Sequence, residues 1–430
     1  MLFKNITILN ENLDVQESMC VGISDDRICH IGNSIPKEDY GEVYDGKGRL
    51  LMSGFFNSHA HTPMTLMRGY GENMALQDWL NKRIFPFEAH LTGDDVYYAT
   101  LLGIAESLRF GIVSTTDMYY LCDRMAEAFL ESGAKANISR GIACFTDDDL
   151  KALPAYKESK ELYEQYNESG GGRLKIDMSL HAEYTSTPKI TAQLAEFTKK
   201  LGAQMHVHVS ETKEEHEGCK VRHQGKTPVK YLSDLGLLDS KTTAAHCVYI
   251  EGEDFHILKE KGVTVASNPI SNLKLASGVC NVPELYKEGI RIAIGTDSVA
   301  SNNSLNFIEE MKFFGLVHKE KFRDPRLTTP KQTLYAATRA GALGQGRADT
   351  GTVKMGCKAD LIALDISGPN MYPVHDLVNN LVYSASGSDV VLTMVDGKVL
   401  YRAGDFPTID MEKVRYETER SIKRIIGALK

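Results

Sequence analysis

The sequence predicts an α/β chain: a (β/α)8 barrel of the TIM type, with a small β-sandwich formed from both chain ends. Three observations predict it. From about residue 51 to 345, short β-branched runs alternate with longer runs of helical period, the signature of repeated βα units. The short runs number eight, which is the count that closes a barrel. Residues 1–50 and 346–408 instead hold short alternating runs broken by Asp-Gly, Asp-Asp and Gly turns, as antiparallel strands do. An open doubly wound sheet is the main alternative.

In chain order the expected barrel strands are LLMSGFFNSHAH (50–61), GIVSTTDM (111–118), ANISRGIACF (136–145), RLKIDMSLH (173–181), AQMHVHVS (203–210), TTAAHC (242–247), GVTVASN (262–268) and GIRIAIGTD (289–297). Helical segments such as DDVYYATLLGIAESLRF and STPKITAQLAEFTKKLG follow most of them. Neither flank alone has enough strands for a stable core, so residues 1–50 and 346–408 are expected to pair into one sandwich beside a 51–345 barrel. Residues 409–430 read as an amphipathic C-terminal helix.

Composition narrows the partners. A net charge of −8 disfavours nucleic acid and anionic membrane, leaving small molecules, with a homo-oligomer compatible with the reading. Eight scattered Cys without a C-x-x-C argue against a zinc knuckle or a thioredoxin motif. The start lacks the apolar run of a signal peptide, and no segment approaches the length of a membrane span, so a reduced, cytoplasmic protein is expected. Other chemistries fail on inspection: no complete P-loop, dinucleotide fingerprint, G-x-S-x-G elbow or Pro-Cys deaminase motif occurs.

The barrel frame gathers scattered polar residues at one mouth, because the active site of such a barrel forms where strands end. His59 and His61 end strand one, Asp117 strand two, Arg140 lies in strand three, and His181, His208, His246, Asn268 and Asp297 follow on strands four to eight. His59 and His61, two apart on a strand, share a face and can bind one metal side by side. His208 lies nearer the mouth than His206, which reads as a hydrogen-bonded core residue. Asp297, at the end of an apolar strand, needs a metal or donor to offset its desolvation.

The set His59, His61, His208 and Asp297 suits a single divalent ion, zinc first and iron second, with a position left for water. Such an ion brings the pKa of its water to roughly 7. Asp297 and His246 are placed to orient that water and take its proton. Glu211, on the loop after His208, can reach the substrate as a neutral acid and protonate a ring nitrogen. Ammonia is then the leaving group.

The segments GFFNSHAHTPMTLMRG, HVHVSET, AAHCV, SNPISNLKLASG and GTDSVASNNSLNFIEEM together resemble the amidohydrolase superfamily, in its cytosine deaminase and chlorohydrolase branch, most closely the 5′-methylthioadenosine/S-adenosylhomocysteine deaminases. The resemblance covers nearly the whole chain. It implies zinc-dependent hydrolytic deamination of an adenine nucleoside, with His59, His61, His208 and Asp297 as ligands and Glu211 as acid/base. It adds substrate contacts: Glu88 on the ribose hydroxyls, Trp79 beside the nucleoside, and Arg140 and His181 near the substrate. Strand four ends in His181 where two-metal members carry a bridging Lys, which implies one metal.

Two departures bear on the substrate. Where some members carry a second Arg after strand three, FTDDDLKALPAY is acidic, which weighs against the carboxylate tail of S-adenosylhomocysteine. Glu183, in His-Ala-Glu-Tyr, is expected to add negative charge near that tail. The alternatives are a deaminase of guanine, 8-oxoguanine or an s-triazine, and a non-catalytic barrel that serves assembly.

Overall fold

The computed structural model describes residues 1–74 and 76–429. The N-terminal segment forms β1 (Leu2–Leu9), β2 (Val15–Ser24), β3 (Arg27–Gly32), β4 (Val43–Asp45) and β5 (Arg49–Ser53). Asn10 makes the first turn: its Oδ1 accepts from the backbone N–H of Asn12 and Asp14 at 2.9 and 3.0 Å. Next come the barrel strands β6 (Phe55–Ala60), β7 (Ile112–Tyr119), β8 (Lys135–Ile142), β9 (Leu174–Ile176), β10 (Met178–Ala182), β11 (Met205–Val209), β12 (Thr242–His246), β13 (Thr264–Ser267) and β14 (Arg291–Ile294). The chain closes with β15 (Leu361–Asp365), β16 (Val390–Val395) and β17 (Lys398–Arg402).

The barrel strands follow the order β6-β7-β8-β10-β11-β12-β13-β14, all parallel, with β9 on β8. The ring shuts where the Asp297 N–H donates to the His59 carbonyl at 2.9 Å, just beyond β14. These strands are buried on both faces, which explains their near-continuous apolar sequence. Helices cover the outside. Gly93–Arg109 starts at a capping box in which Thr92 and Asp95 satisfy each other's N–H groups. Pro188–Leu201 starts with Thr187 as cap and Pro at its first position.

The small β-domain is one hydrogen-bonded sheet, ordered β17-β16-β15-β5-β1-β2-β3 with β4 added to β1. Its two halves join where β5 runs antiparallel to β15, from Ser53 opposite Leu361 to Arg49 opposite Asp365. Phe3, Ile6, Val21, Leu51, Leu361 and Met394 form a second core on its face. The run LLMSGFFNSHAH is therefore two strands, β5 in the small sheet and β6 in the barrel. Gly54 alone separates them, and a Cβ there would lie 2.3 Å from Val113 Cγ1. RLKIDMSLH is likewise split, at Asp177, whose carboxylate accepts from Asn137 Nδ2 at 3.1 Å.

Polar and apolar contacts tie the two parts together. Lys135, at the start of β8, buries its ammonium against Asp360 and Asp396, the latter at 2.6 Å. The C-terminal helix Met411–Ala428 is capped by Asp410 and turns Val414, Thr418 and Ile425 inward. Arg424 fastens it to the 93–109 helix through Asp95. Among the described residues, no helix is long and apolar enough to cross a membrane.

Candidate active site

Strand ends bring the expected residues to one mouth. His59 sits within β6 and His61 just beyond it, His208 lies in β11, His246 ends β12, and Asp297 follows β14. The backbone turns sharply as it leaves: Ser210, His246 and Asp297 all adopt left-handed φ values of 48°, 73° and 60°. Such conformations are unfavourable for residues with a Cβ and persist where neighbours hold them.

Each imidazole is oriented by a partner on its far nitrogen. His61 Nδ1 donates to the Met118 carbonyl and His208 Nδ1 to the His181 carbonyl, both at 2.6 Å. A carbonyl only accepts, so both rings carry the proton on Nδ1 and offer Nε2 inward. His59 Nδ1 lies 2.9 Å from His206 Nε2. Burial pushes His59 down to about 3, and burial with the neighbouring imidazoles holds His206 and His208 well below the usual range, so these rings are neutral.

The inward atoms converge. His61 Nε2 is 3.3 Å from His208 Nε2 and 3.4 Å from Asp297 Oδ1, which is 3.5 Å from His59 Nε2. His59 Nε2 is fully buried and has no hydrogen-bond partner. Ligand atoms around zinc, at about 2.0–2.1 Å in a tetrahedron, stand roughly 3.3 Å apart. Three imidazoles, one carboxylate and an orphaned buried nitrogen thus fit a divalent ion. Burial alone would raise Asp297, but His59, His246 and His61 hold it well below the carboxylate range. Its Oδ2 accepts from Ser271 Oγ at 2.6 Å and Ser301 Oγ at 3.1 Å, and its Oδ1 from the Ser298 N–H at 2.7 Å.

Beside this centre opens a cavity of about 110 Å³. Its wall includes His61, His208, Asp297, His246 and Glu211, and also Trp79, Glu88 and His181. Burial raises the Glu211 carboxyl; its Oε2 faces His246 Nε2 at 3.9 Å. Burial opposes charge on His246, yet Glu211 and Asp297 raise it overall, and its Nδ1 contacts Asn272 Oδ1 at 2.8 Å. Burial lifts Glu88 to about 7, against a hydrogen bond from the Tyr119 hydroxyl at 2.7 Å. His181 is pushed down to about 4 by burial and meets Thr185 Oγ1 at 3.1 Å.

Arg140 and Glu183 each form ion pairs within the protein. Arg140 does not line the cavity: its Nε donates to Glu158 at 2.5 Å and its guanidinium lies over the Tyr120 ring. Glu183 does not line the cavity and is buried beneath Arg222 and His223, with the Arg222 guanidinium balancing its charge. Asp117 is structural, accepting from the Thr62 N–H at 3.1 and 3.2 Å. His206 is the hydrogen-bonded core residue expected, and sequence reasoning missed the supporting residues Ser271, Asn272, Ser301 and Tyr119. Ser271 and Asn272 were signalled by the polar run SNPISN; Ser301 and Tyr119 left no distinctive signal.

These features agree with the comparisons to known proteins. The family model described as "Amidohydrolase family" matches residues 50–400, and the chain belongs to this family. The chain is 39% identical over 429 residues to a 5-methylthioadenosine/S-adenosylhomocysteine deaminase of Caldanaerobacter subterraneus, covering 99% of this chain and 98% of the relative. It is 38% identical over 428 residues to a 5′-deoxyadenosine deaminase of Methanosarcina mazei, with 99% and 98% covered. An adenosine deaminase from Xanthomonas campestris, solved with bound zinc, superimposes with a TM-score of 0.92 at 27% identity, covering 99% of this chain and 98% of that one.

Proposed function

We propose that this chain hydrolyses the 6-amino group of an adenine nucleoside, giving the inosine analogue and ammonia. The observation that carries this is the convergence of Glu211, His246 and Asp297 on one cavity beside the orphaned His59 nitrogen. His59, His61, His208 and Asp297 would hold a divalent metal, zinc first and iron second, which when bound supplies a water activated at neutral pH.

The chain's own residues then divide the proton work. Asp297, kept ionised, and His246, fixed by Asn272, orient the attacking water and accept its proton as it adds to C6. Glu211, whose carboxyl burial shifts towards the neutral form, donates to ring nitrogen N1, which develops charge as C6 becomes tetrahedral. The proton taken from water passes to the amino group, the hydroxyl now on C6 returns its proton to Glu211 as the C6–N bond breaks, and ammonia leaves the carbonyl product.

Substrate selection follows from the same wall. Trp79 flanks the nucleoside, His181 lies beside the reacting ring, and Glu88, oriented by Tyr119, binds the ribose hydroxyls. No Lys or Arg is among the described lining residues, while Leu80, Ile84, Phe85 and Leu275 are. A neutral 5′ group, as in methylthioadenosine, 5′-deoxyadenosine or adenosine, fits this wall better than the charged tail of S-adenosylhomocysteine.

The test is ammonia release from these four nucleosides and guanine by the metal-replete protein. The neutral 5′ nucleosides are expected to turn over fastest. No turnover of any adenine nucleoside would overturn the assignment. Glu211→Gln should keep its metal and lose about 10²–10⁴-fold in kcat, as expected for removing one proton transfer.

A further inference from the structure

The loop that carries Glu211 is held by a carboxylate that the reaction does not use. Glu215 is 6% exposed and is the third residue of helix Lys213–Arg222, whose cap is Thr212. A Glu at this position usually reaches back to the N–H of the cap residue itself. Here it reaches further. Its Oε1 accepts from the Ser210 N–H at 2.8 Å and its Oε2 from the Glu211 N–H at 2.7 Å.

The conformation fixed this way is an unfavourable one. Ser210 has φ of 48°, left-handed for a residue with a Cβ, and this reversal directly after β11 sends Glu211 into the cavity wall. Ser210 is gripped on its other sides as well. Its carbonyl accepts from the N–H groups of Val248 and Tyr249 at 3.0 Å each, and its Oγ meets His216 Nδ1 at 3.2 Å. Among the described residues outside the loop, Glu211 has only weak holds: Ser277 Oγ at 3.5 Å and His246 at 3.9 Å. The aim of its carboxylate therefore depends on the backbone.

We propose that Glu215 is the positioning residue for Glu211, clamping two successive N–H groups so that the acid stands within reach of the substrate's ring nitrogen. The proposal rests on the reading of Glu211 as proton donor. Glu215→Gln keeps the volume but sets an amide NH2 against one of the two N–H donors, which opens one side of the clamp.

The experiment measures kcat, KM for methylthioadenosine, bound zinc and Tm for Glu215→Gln, Glu215→Asp, Glu211→Gln and the double Gln variant. Expected for Glu215→Gln is a fall in kcat of about 10–100-fold, with KM and zinc content within twofold of wild type. Glu215→Asp, which keeps the charge but reaches one N–H, should fall between the two, and it serves as the test variant if Glu215→Gln does not fold. The double variant should be no slower than Glu211→Gln alone, since a residue acting through another adds nothing once that other is gone.

Full kcat in Glu215→Gln beside a crippled Glu211→Gln overturns the proposal. So does a loss of activity that tracks loss of zinc or Tm, or a double variant whose losses multiply. An active Glu211→Gln instead overturns the underlying reading of Glu211.

Discussion

Gly295→Ala is expected to weaken metal binding without altering any ligand. Gly295 lies between β14 and Asp297, on the seam where the barrel shuts against β6. A Cβ there would stand 2.8 Å from His59 Cβ, 2.9 Å from the His59 backbone nitrogen and 2.3 Å from Asn268 Oδ1. Carbon atoms in contact sit about 3.5–4.0 Å apart, so His59 must retreat by roughly 1 Å. Its backbone is bonded to the Asp297 N–H at 2.9 Å, so the movement is passed to two ligands at once. Sites of this kind tolerate about 0.5 Å of displacement. The expected outcome is a loss of zinc affinity of about 10–100-fold, with a stability cost of about 1–3 kcal/mol from overpacking. Competition against a chromogenic chelator measures the first and urea unfolding the second. Wild-type zinc affinity in Gly295→Ala would refute the steric argument.

Three further predictions probe other parts of the molecule. Glu88→Ala should lower kcat/KM for adenine nucleosides by about 10–100-fold, the worth of charge-assisted hydrogen bonds to the ribose, while adenine as free base changes less than about threefold; equal losses on both would remove Glu88 from the ribose. Lys135→Met leaves Asp360 without its buried cation and Asp396 with only Lys358, at 3.4 Å, and should cost about 3–5 kcal/mol, read as a drop in unfolding free energy with zinc content per folded molecule unchanged. Glu310, buried and raised to about 8, binds its proton in the folded state across a range where the unfolded chain has released it, so its contribution falls as pH rises from about 4.5 to 8. Glu310→Gln should therefore gain on wild type over that window, by up to roughly 1.4 kcal/mol per pH unit, and a constant difference in urea melts at several pH values would exclude it.

The barrel and the gathering of His59, His61, His208 and Asp297 at its mouth were legible because their signals are local and periodic. Apolar strands ending in His, His-x-His or Gly-Thr-Asp announce both a buried strand and a polar mouth. The strand break at Gly54 was not legible, since an unbroken apolar run serves either sheet and only the packing of Val113 against Gly54 separates them. The orientations of Arg140 and Glu183 were not legible for a different reason. A long side chain near a mouth can turn inward or outward, and the choice was made by Glu158 and Tyr120 in one case and by Arg222 and His223 in the other. Those partners are distant in sequence and carry no pattern. The same holds for Tyr119 on Glu88, which bonds across 31 positions.

The pairing of β5 with β15 has a consequence for how the chain is made. The small sheet cannot be completed until β15, β16 and β17 have been synthesised, long after β1 to β5. During that interval β5 presents an unpaired apolar edge, Leu50 to Met52, and Lys135 lacks both of its carboxylates. An open edge of this kind can pair with the β15 of a second copy as readily as with its own. The barrel is thus a long loop whose two ends must find each other, and exchange of those ends between molecules is the misassembly to which this architecture is most exposed.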